Sequence, residues 1–362
     1  MKKWLLGSAL LIGASALCGG AQASVTFNTF VSGVSINAAV GQNNTIAFNY
    51  AGSFFVGSVY TGPNNNQLYA TDLNGANVQK FGNPIPGFSG EVVVAAGLGQ
   101  GGFAKGAIYA GNGAGNQIYL VPPVGAPVLF GTTGNNEVIR QILLDPGGSF
   151  GGAMIVTTNS GRIYTFNAAG MPTLLANVGA DTEGMDIATS AWGKYAGNLI
   201  VASEGSGQVL AISPGGSVSV LKDSVGSNIY IALAETVSAV PLNLGSSGNP
   251  LEGFYVANYP SDIQFADASQ FAGLQGDIIV TSEFSSSSPL WALHYLGDTL
   301  DAFTMTLVGN LPLQSEDGIF VTAERIREVG TPGGVPEPAT LALVGAGFAG
   351  LGALRRVRRR KA

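Results

Sequence analysis

Short apolar runs separated by glycines and polar turns make up most of this chain. Runs such as Met154–Val156 and Ile278–Val280 are bounded by turn residues, a pattern that is typical of strands. Outside the two ends of the chain, no long stretch shows the 3.6-residue spacing of an amphipathic helix. We therefore predict an all-β body.

A unit of glycine, short apolar strand, polar turn and second apolar strand recurs along this body. Three copies begin 46 and 45 residues apart, at Gly106, Gly152 and Gly197. A further strand precedes each copy and opens at Glu91, Glu137 and Glu183, with spacings of 46 residues. A four-stranded unit of about 45 residues is the size of a β-propeller blade, which buries its faces against its neighbours.

The repeat predicts a β-propeller over residues 57–329, with six blades favoured and five or seven as alternatives. A β-sandwich and a β-solenoid are the competing folds. Residues 24–56 do not follow the repeat, and alternation in 45–50 predicts one or two strands that join or cap the first blade. The hairpin at Gly57 lacks a leading strand of this type and the strand Gly318–Ala323 lacks a hairpin. We expect these two to share a blade and close the ring.

The N-terminus has the three parts of a secretory signal peptide. Lys2 and Lys3 are followed by an apolar stretch, residues 4–17, and then by a small-residue site that ends at Ala23. We predict a signal peptide over 1–23, export through the Sec translocon and cleavage by signal peptidase after Ala23. The only cysteine, Cys18, lies within this segment, so the mature chain has no thiol.

Three elements occupy the C-terminus in a fixed order. The motif Val335–Pro338 precedes an apolar stretch, residues 339–354, and a basic cluster in 355–361. The apolar stretch approaches the roughly 20 residues that cross a bilayer, and basic residues after it favour a cytoplasmic end. We predict a transmembrane helix over 339–354 and a flexible spacer over 330–335. An ordinary C-terminal anchor is the alternative interpretation.

This C-terminal order resembles the PEP-CTERM tail of proteins processed by exosortase in Gram-negative bacteria, many of which make extracellular polysaccharide. The resemblance covers 335–362 and makes Pro336, Glu337 and Pro338 the processing signal. It implies exosortase as a partner, transient anchoring in the inner membrane, and a final location at the cell surface or outside the cell. Exopolysaccharide is a further expected partner, within a biofilm or extracellular matrix.

The segment Asp181–Ile187 followed by Gly197–Val201 resembles NHL-type and gluconolactonase-like six-bladed propellers. In a propeller, the starts of first strands and the turns between second and third strands open on one face, which is usually the ligand face. Glu235 and Glu316 are further acids that open first strands. Four polar residues fall in the turns, namely Asn112, Asn159, Glu204 and Glu283.

We therefore expect a ring of carboxylates and amides around one mouth of the propeller. Oxygen ligands in this number suit Ca²⁺, and the calcium-dependent propeller hydrolases that the fold resembles use such a mouth. The candidate ligands are Glu91, Glu137, Glu183, Glu204 and Glu283. Solvated turn residues in an acidic protein are the simpler alternative.

Charge and composition narrow the remaining functions. Residues 24–338 contain eight basic residues against 22 acidic residues, a formal net charge of −14, which argues against nucleic acid as a partner. The single histidine, His294, has no other His or Cys with which to form a transition-metal site. We predict no catalytic residues and no organic cofactor. A non-catalytic propeller that binds carbohydrate or protein is favoured; a Ca²⁺-dependent hydrolase or lactonase and a purely structural envelope component are the alternatives.

Overall fold

The computed structural model describes residues 24–60 and 66–330, with side chains to residue 326. It opens with β1 (Asn28–Val31) and helix α1 (Gly33–Val40), and four regular blades follow. Blade 1 contains β2 (Thr45–Tyr50), β3 (Phe55–Val59), β4 (Leu68–Thr71) and β5 (Gln79–Phe81). Blade 2 contains β6 (Val93–Ala96), β7 (Ile108–Gly111), β8 (Gln117–Val121) and β9 (Val128–Thr132). Blade 3 contains β10 (Ile139–Leu144), β11 (Met154–Thr158), β12 (Arg162–Phe166) and β13 (Pro172–Asn177). Blade 4 contains β14 (Met185–Ile187), β15 (Leu199–Ala202), β16 (Val209–Ile212) and β17 (Val218–Val220).

The last two blades are interleaved along the chain. Their strands are β18 (Ala234–Ala239), β19 (Gly253–Tyr259), β20 (Asp262–Asp267), β21 (Ile278–Ser282), β22 (Ser288–Tyr295), β23 (Phe303–Leu311) and β24 (Gln314–Val321). Blade 5 has the order β18-β21-β22-β23, whereas blade 6 has the order β24-β19-β20-β1. Helix α2 (Ala323–Gly330) follows β24. The chain therefore forms the first strand of blade 5, then the two middle strands of blade 6, and then the other three strands of blade 5.

The six innermost strands form a closed ring. Strands β2, β6, β10, β14, β18 and β24 each contact the next, and β24 contacts β2. All pairings within the six sheets are antiparallel, as in a propeller blade. The predicted all-β, six-bladed propeller is confirmed.

The predicted closing blade was wrong in its membership. The hairpin at Gly57 belongs to blade 1, where β2 is its leading strand. The strand at Gly318 belongs to β24, which pairs with β19 in blade 6. The ring is closed instead by the first and last strands, because β1 is the outermost and β24 the innermost strand of blade 6. Residues 24–56 thus contribute β1 and β2 to the ring itself.

Burial along each strand follows from the stacking of blades. Inner strands such as β3, β11 and β15 are buried along their whole length, because both faces of a blade pack against neighbours. Outer strands such as β5 and β17 expose most of their residues. This is why the inner strands appear in the sequence as continuous apolar runs and the outer strands do not.

An aromatic cluster joins the closing blade to blade 1. Phe30 and Tyr255 of blade 6 have ring centroids 4.9 Å apart, and Tyr255 lies 4.8 Å from Phe55 of blade 1. Phe48 stacks on Phe55 at 4.9 Å. Such pairs add to the free energy of burial, so the interface between the closing blade and blade 1 is stabilised by large side chains.

The helices of the described residues are short. None of them is long and apolar enough to cross a membrane. The predicted signal peptide 1–23, the transmembrane segment 339–354 and the processing residues Ala23, Pro336, Glu337 and Pro338 lie outside the described residues, as does all of the spacer except Gly330.

Because β1 closes the ring, we predict that two valines near the N-terminus differ in their contribution to the free energy of unfolding. Val31 in β1 is fully buried in the core between blades 6 and 1, whereas Val34 in α1 is 81% exposed. We expect Val31→Ala to lower the free energy of unfolding by about 2 kcal/mol, and Val34→Ala to change it by less than about 0.5 kcal/mol. Urea unfolding followed by circular dichroism measures both, and equal effects would argue against β1 as a structural part of blade 6.

Candidate functional site

Register shifts near the starts of the innermost strands direct polar side chains towards the axis of the ring. In β10 the pairing shifts between Ile139 and Gln141, which places Arg140 at the irregularity. In β18 the shift falls between Ala234 and Val237 and includes Glu235. In β24 it falls between Ser315 and Gly318 and includes Glu316 and Asp317. Bulges re-aim side chains that regular alternation would direct into the blade interfaces.

Arg140 occupies the centre of the mouth and holds three carboxylates. Its Nε lies 2.9 Å from Glu183 Oε1 and donates to Asp181 Oδ1 at 3.1 Å. Its Nη2 donates to Asp181 Oδ2 at 2.6 Å, and its Nη1 donates to Glu91. Burial acts to lower the pKa of Arg140, but Glu183, Asp181 and Glu91 raise it above its usual value, so the guanidinium remains charged. Blades 2, 3 and 4 are therefore joined by one cation.

Three glutamates at the mouth are at least nine-tenths buried. The exposed fractions of Glu183, Glu235 and Glu316 are 7%, 9% and 5%. Gly184 allows β14 and β18 to approach, because a Cβ there would lie 2.2 Å from the Glu235 carbonyl oxygen. Within residues 24–60 and 66–330, no hydrogen bond is made to the Glu235 carboxylate, although it lines the axial cavity.

The remaining carboxylates of the mouth come from turns. Gln314 donates to Glu283 and, at 2.9 Å, to Glu316 Oε1. Glu204 lies with Asp181 and Glu183 in a group whose carboxylate oxygens are within 4.8 Å of one another. We call the set around Arg140 the acidic mouth: Glu91, Asp181, Glu183, Glu204, Glu235, Glu283 and Glu316.

Burial and mutual repulsion raise the pKa values of these acids. Burial is the main cause for Glu235, followed by repulsion from Glu183 and Glu316. Burial likewise raises the pKa of Glu183, which Arg140 opposes, and the pKa of Glu316, to which Glu283 adds. Burial and then repulsion from Glu204 raise the pKa of Glu283 to about 7. One guanidinium does not offset seven carboxylates, so a further cation would be bound favourably here.

The space on the axis is small and its rim is aromatic. The cavity lined by Glu91, Glu183, Glu235 and Glu316 has a volume of about 20 Å³, enough for a water molecule or an ion. Tyr60 follows β3 and Tyr259 ends β19. Both therefore lie at the same end of the propeller as Glu204 and Glu283, which follow β15 and β21, and Tyr60 is 42% exposed. The mouth therefore combines carboxylates with partly exposed tyrosines.

The structure brings four of the five predicted metal ligands to one place. Glu91, Glu183, Glu204 and Glu283 all belong to the acidic mouth. Glu137 opens its strand as expected, but its carboxylate accepts hydrogen bonds within its own blade, from Thr158, Ser160 and Tyr164. Burial acts to raise the pKa of Glu137, and these hydrogen bonds outweigh it and lower the pKa. Glu137 is thus a structural residue of blade 3.

The amides of the turns do not complete the predicted ring. Asn112 Oδ1 accepts from two backbone N–H groups and its Nδ2 donates to Gln117. Asn159 Oδ1 accepts from the backbone of Val138 at 2.9 Å. His294 is also outside the mouth, where its Nδ1 lies 2.7 Å from Asp277 Oδ1.

Sequence reasoning missed Arg140, Asp181 and Gln314 as members of the site. The polar pair Arg140-Gln141 inside the apolar strand β10 was a usable indication, because a buried strand seldom carries two adjacent polar residues. Asp181, two residues before Glu183, was another. Their convergence on one point depends on which blades are neighbours.

Residues 334–360 match the PEP-CTERM protein-sorting motif. The chain is thus an exported β-propeller whose tail anchors it transiently in the membrane and is processed by exosortase. No curated protein matches the sequence.

Several solved structures are similar in fold at low identity. One is a protein of unknown function from Bacteroides thetaiotaomicron VPI-5482, with 12% identity over 81% of this chain and 70% of that chain, and a TM-score of 0.47. A protein assigned to the gluconolactonases has 10% identity over 81% of this chain and 84% of that chain, with a TM-score of 0.48. A streptogramin B lyase has 12% identity over 82% and 92%, with a TM-score of 0.46.

We expect removal of the Arg140 guanidinium to lower the stability of the protein. We expect Arg140→Met to lower the free energy of unfolding at neutral pH by roughly 3 kcal/mol, because it leaves Glu183 buried without its partner. Arg162→Met is the control, since Arg162 is more exposed and lies 3.7 Å from Glu137. Urea unfolding of both variants gives the comparison, and an Arg140 effect no larger than the Arg162 effect would contradict the central role of this cation.

The raised pKa values predict that stability falls as pH rises. Glutamates of the unfolded chain titrate near 4.5, whereas Glu283 titrates at about 7 in the folded protein, and the pKa values of Glu183, Glu235 and Glu316 are also raised. Between these values the folded state binds more protons, so the free energy of unfolding decreases with pH. We expect a higher urea midpoint at about pH 5.5 than at about pH 8 after chelator treatment. A midpoint that increases over this range would contradict the assignment.

Proposed function

We propose that this exported propeller is a non-catalytic binding protein whose acidic mouth binds extracellular carbohydrate, with exopolysaccharide as its natural setting. The small volume at the axis is the observation that carries this proposal. A cavity of about 20 Å³ admits water or an ion but no organic substrate. The ligand would therefore lie across the rim, outside the layer of buried glutamates.

The chemistry of the rim suits a sugar. Hydroxyl groups donate hydrogen bonds to carboxylates, and four members of the mouth are partly exposed, namely Glu91, Asp181, Glu204 and Glu283. The exposed face of Tyr60 offers an apolar surface for a sugar ring. Tyr109, Trp192 and Tyr255, which are also aromatic, are buried in the core and do not contribute.

Calcium fits the donor set of the mouth. Asp181, Glu183 and Glu204 offer carboxylate oxygens close to one another, and Ca²⁺ prefers six to eight oxygen ligands. Two of the three already bind Arg140, so a calcium ion would share them with the guanidinium. Its charge would hold acids with raised pKa values in their ionised form, and sugar hydroxyls could complete its ligands.

The proposal predicts linked binding of calcium and carbohydrate. We expect calorimetric titration of the chelator-treated protein to show Ca²⁺ binding that Glu204→Gln weakens about tenfold. Asp223→Asn, which removes an exposed turn carboxylate outside the mouth, should leave the affinity unchanged. Exopolysaccharide should be retained by the protein in Ca²⁺, less in chelator, and less by Tyr60→Ala. Retention that survives both chelator and Tyr60→Ala would place the carbohydrate site elsewhere; no retention would leave a structural envelope component.

A Ca²⁺-dependent hydrolase or lactonase is the second candidate, and the pKa of Glu283 favours it. A carboxyl group with a pKa of about 7 is suited to proton transfer at neutral pH. Turnover of lactones or esters that is abolished by chelator and by Glu283→Gln would support this function over binding alone. The absence of turnover, with carbohydrate binding intact, would support the first proposal.

A further inference from the structure

A second and larger chamber lies at the other end of the central channel. It has a volume of about 240 Å³ and is lined by the later residues of the innermost strands. Apolar side chains form much of its wall, among them Leu98, Ile142, Leu144, Met185 and Ile319. An apolar cavity of about 150 Å³ takes benzene, so this chamber can hold a molecule of amino-acid size.

Two aspartates place their carboxyl groups in the wall of this chamber. Asp186 accepts hydrogen bonds from the backbone N–H groups of Ile187 at 2.7 Å and Ala239 at 2.8 Å. Asp317 accepts from Gln141 Nε2 at 3.0 Å and from backbone N–H groups. Each carboxylate offers about four lone-pair sites, so these hydrogen bonds leave both with further acceptor capacity.

The hydrogen bond between Gln141 and Asp317 separates the chamber from the acidic mouth. Gln141 comes from blade 3 and Asp317 from blade 6, which lie opposite each other in a six-bladed ring. Both residues line the mouth cavity on one side and the chamber on the other. The two spaces therefore share these two residues and differ in the rest of their walls, so they can bind different ligands.

Helix α2 supplies the remaining charged groups. Glu324 and Arg325 line the chamber, and Arg325 Nη2 donates to Asn49 Oδ1 at 2.7 Å. Burial raises the pKa of Asp186 to about 6 and that of Asp317 to about 7, although Arg325 acts to lower both. The charged lining therefore consists of three carboxyl groups, those of Asp186, Asp317 and Glu324, and one guanidinium, that of Arg325, so the chamber favours an additional cation.

We propose that this chamber is a second binding site, which takes a small organic ammonium compound with an apolar body. The ammonium group would donate a hydrogen bond to the carboxylate of Asp186 or of Asp317, and the apolar body would contact Ile142, Leu144 and Met185. This site is independent of the proposed carbohydrate function of the mouth.

Calorimetric titration of the exported protein with 3-methylbutylamine tests the proposal, with 3-methylbutanol as a neutral probe of similar shape. We expect the amine to bind at least about tenfold more tightly than the alcohol, because a charged hydrogen bond is lost. At least one of the variants Asp186→Asn and Asp317→Asn should weaken binding of the amine by about tenfold, whereas Glu204→Gln at the mouth should have no effect on it. Equal affinity for the two probes, no binding of the amine, or a loss in the Glu204 variant alone would overturn the proposal.

A measurement on the unaltered protein locates the amine even where an aspartate variant fails to fold. With ¹³C-methyl methionine, the resonance of Met185 in the chamber wall should shift on titration with the amine. Met171 is the control, since it is 63% exposed on the outer surface of blade 3. A shift of Met171 without a shift of Met185 would place the amine elsewhere and overturn the assignment.

Discussion

Closure of the ring through blade 6 is the constraint on which the rest of the structure depends. This blade takes its outermost strand from the start of the described chain and its innermost strand from the end. Its middle strands are inserted between the first and second strands of blade 5. The closing strand β24 carries Gln314, Glu316 and Asp317. Without this strand, neither the complete acidic mouth nor the hydrogen bond between Gln141 and Asp317 across the channel can form.

The burial of several carboxylates at the acidic mouth lowers the stability of the fold. Seven carboxylates converge near the axis, and Arg140 forms ion pairs with only three of them. Burial of unpaired acids is unfavourable, and a protein that keeps such a group usually does so for function. Protonation of these acids reduces the repulsion between them in the free protein, and a bound cation would also reduce it. This is the physical reason to associate the mouth with binding.

The two ends of the channel differ in chemistry and in their relation to the tail. The mouth is narrow and acidic, whereas the chamber is wider, has apolar as well as charged walls, and is bordered by helix α2. The sorting motif at 334–360 follows this helix in the chain. Residues of α2 line the chamber and not the mouth cavity, so the acidic mouth lies at the end of the channel away from this helix.

The sequence by itself determined the repeat, the sorting tail, and the starts and turns that carry Glu91, Glu183, Glu204 and Glu283, and it favoured six blades over five or seven. These features are local, because a 45-residue period and strand polarity are properties of consecutive residues. Only the tertiary structure decided the interleaving of blades 5 and 6, the closing pair β1 and β24, the position of Arg140 among the acids, and the loss of Glu137 to bonds within its own blade. Those depend on bulges that re-aim side chains and on contacts between residues far apart in the chain, which local periodicity does not encode.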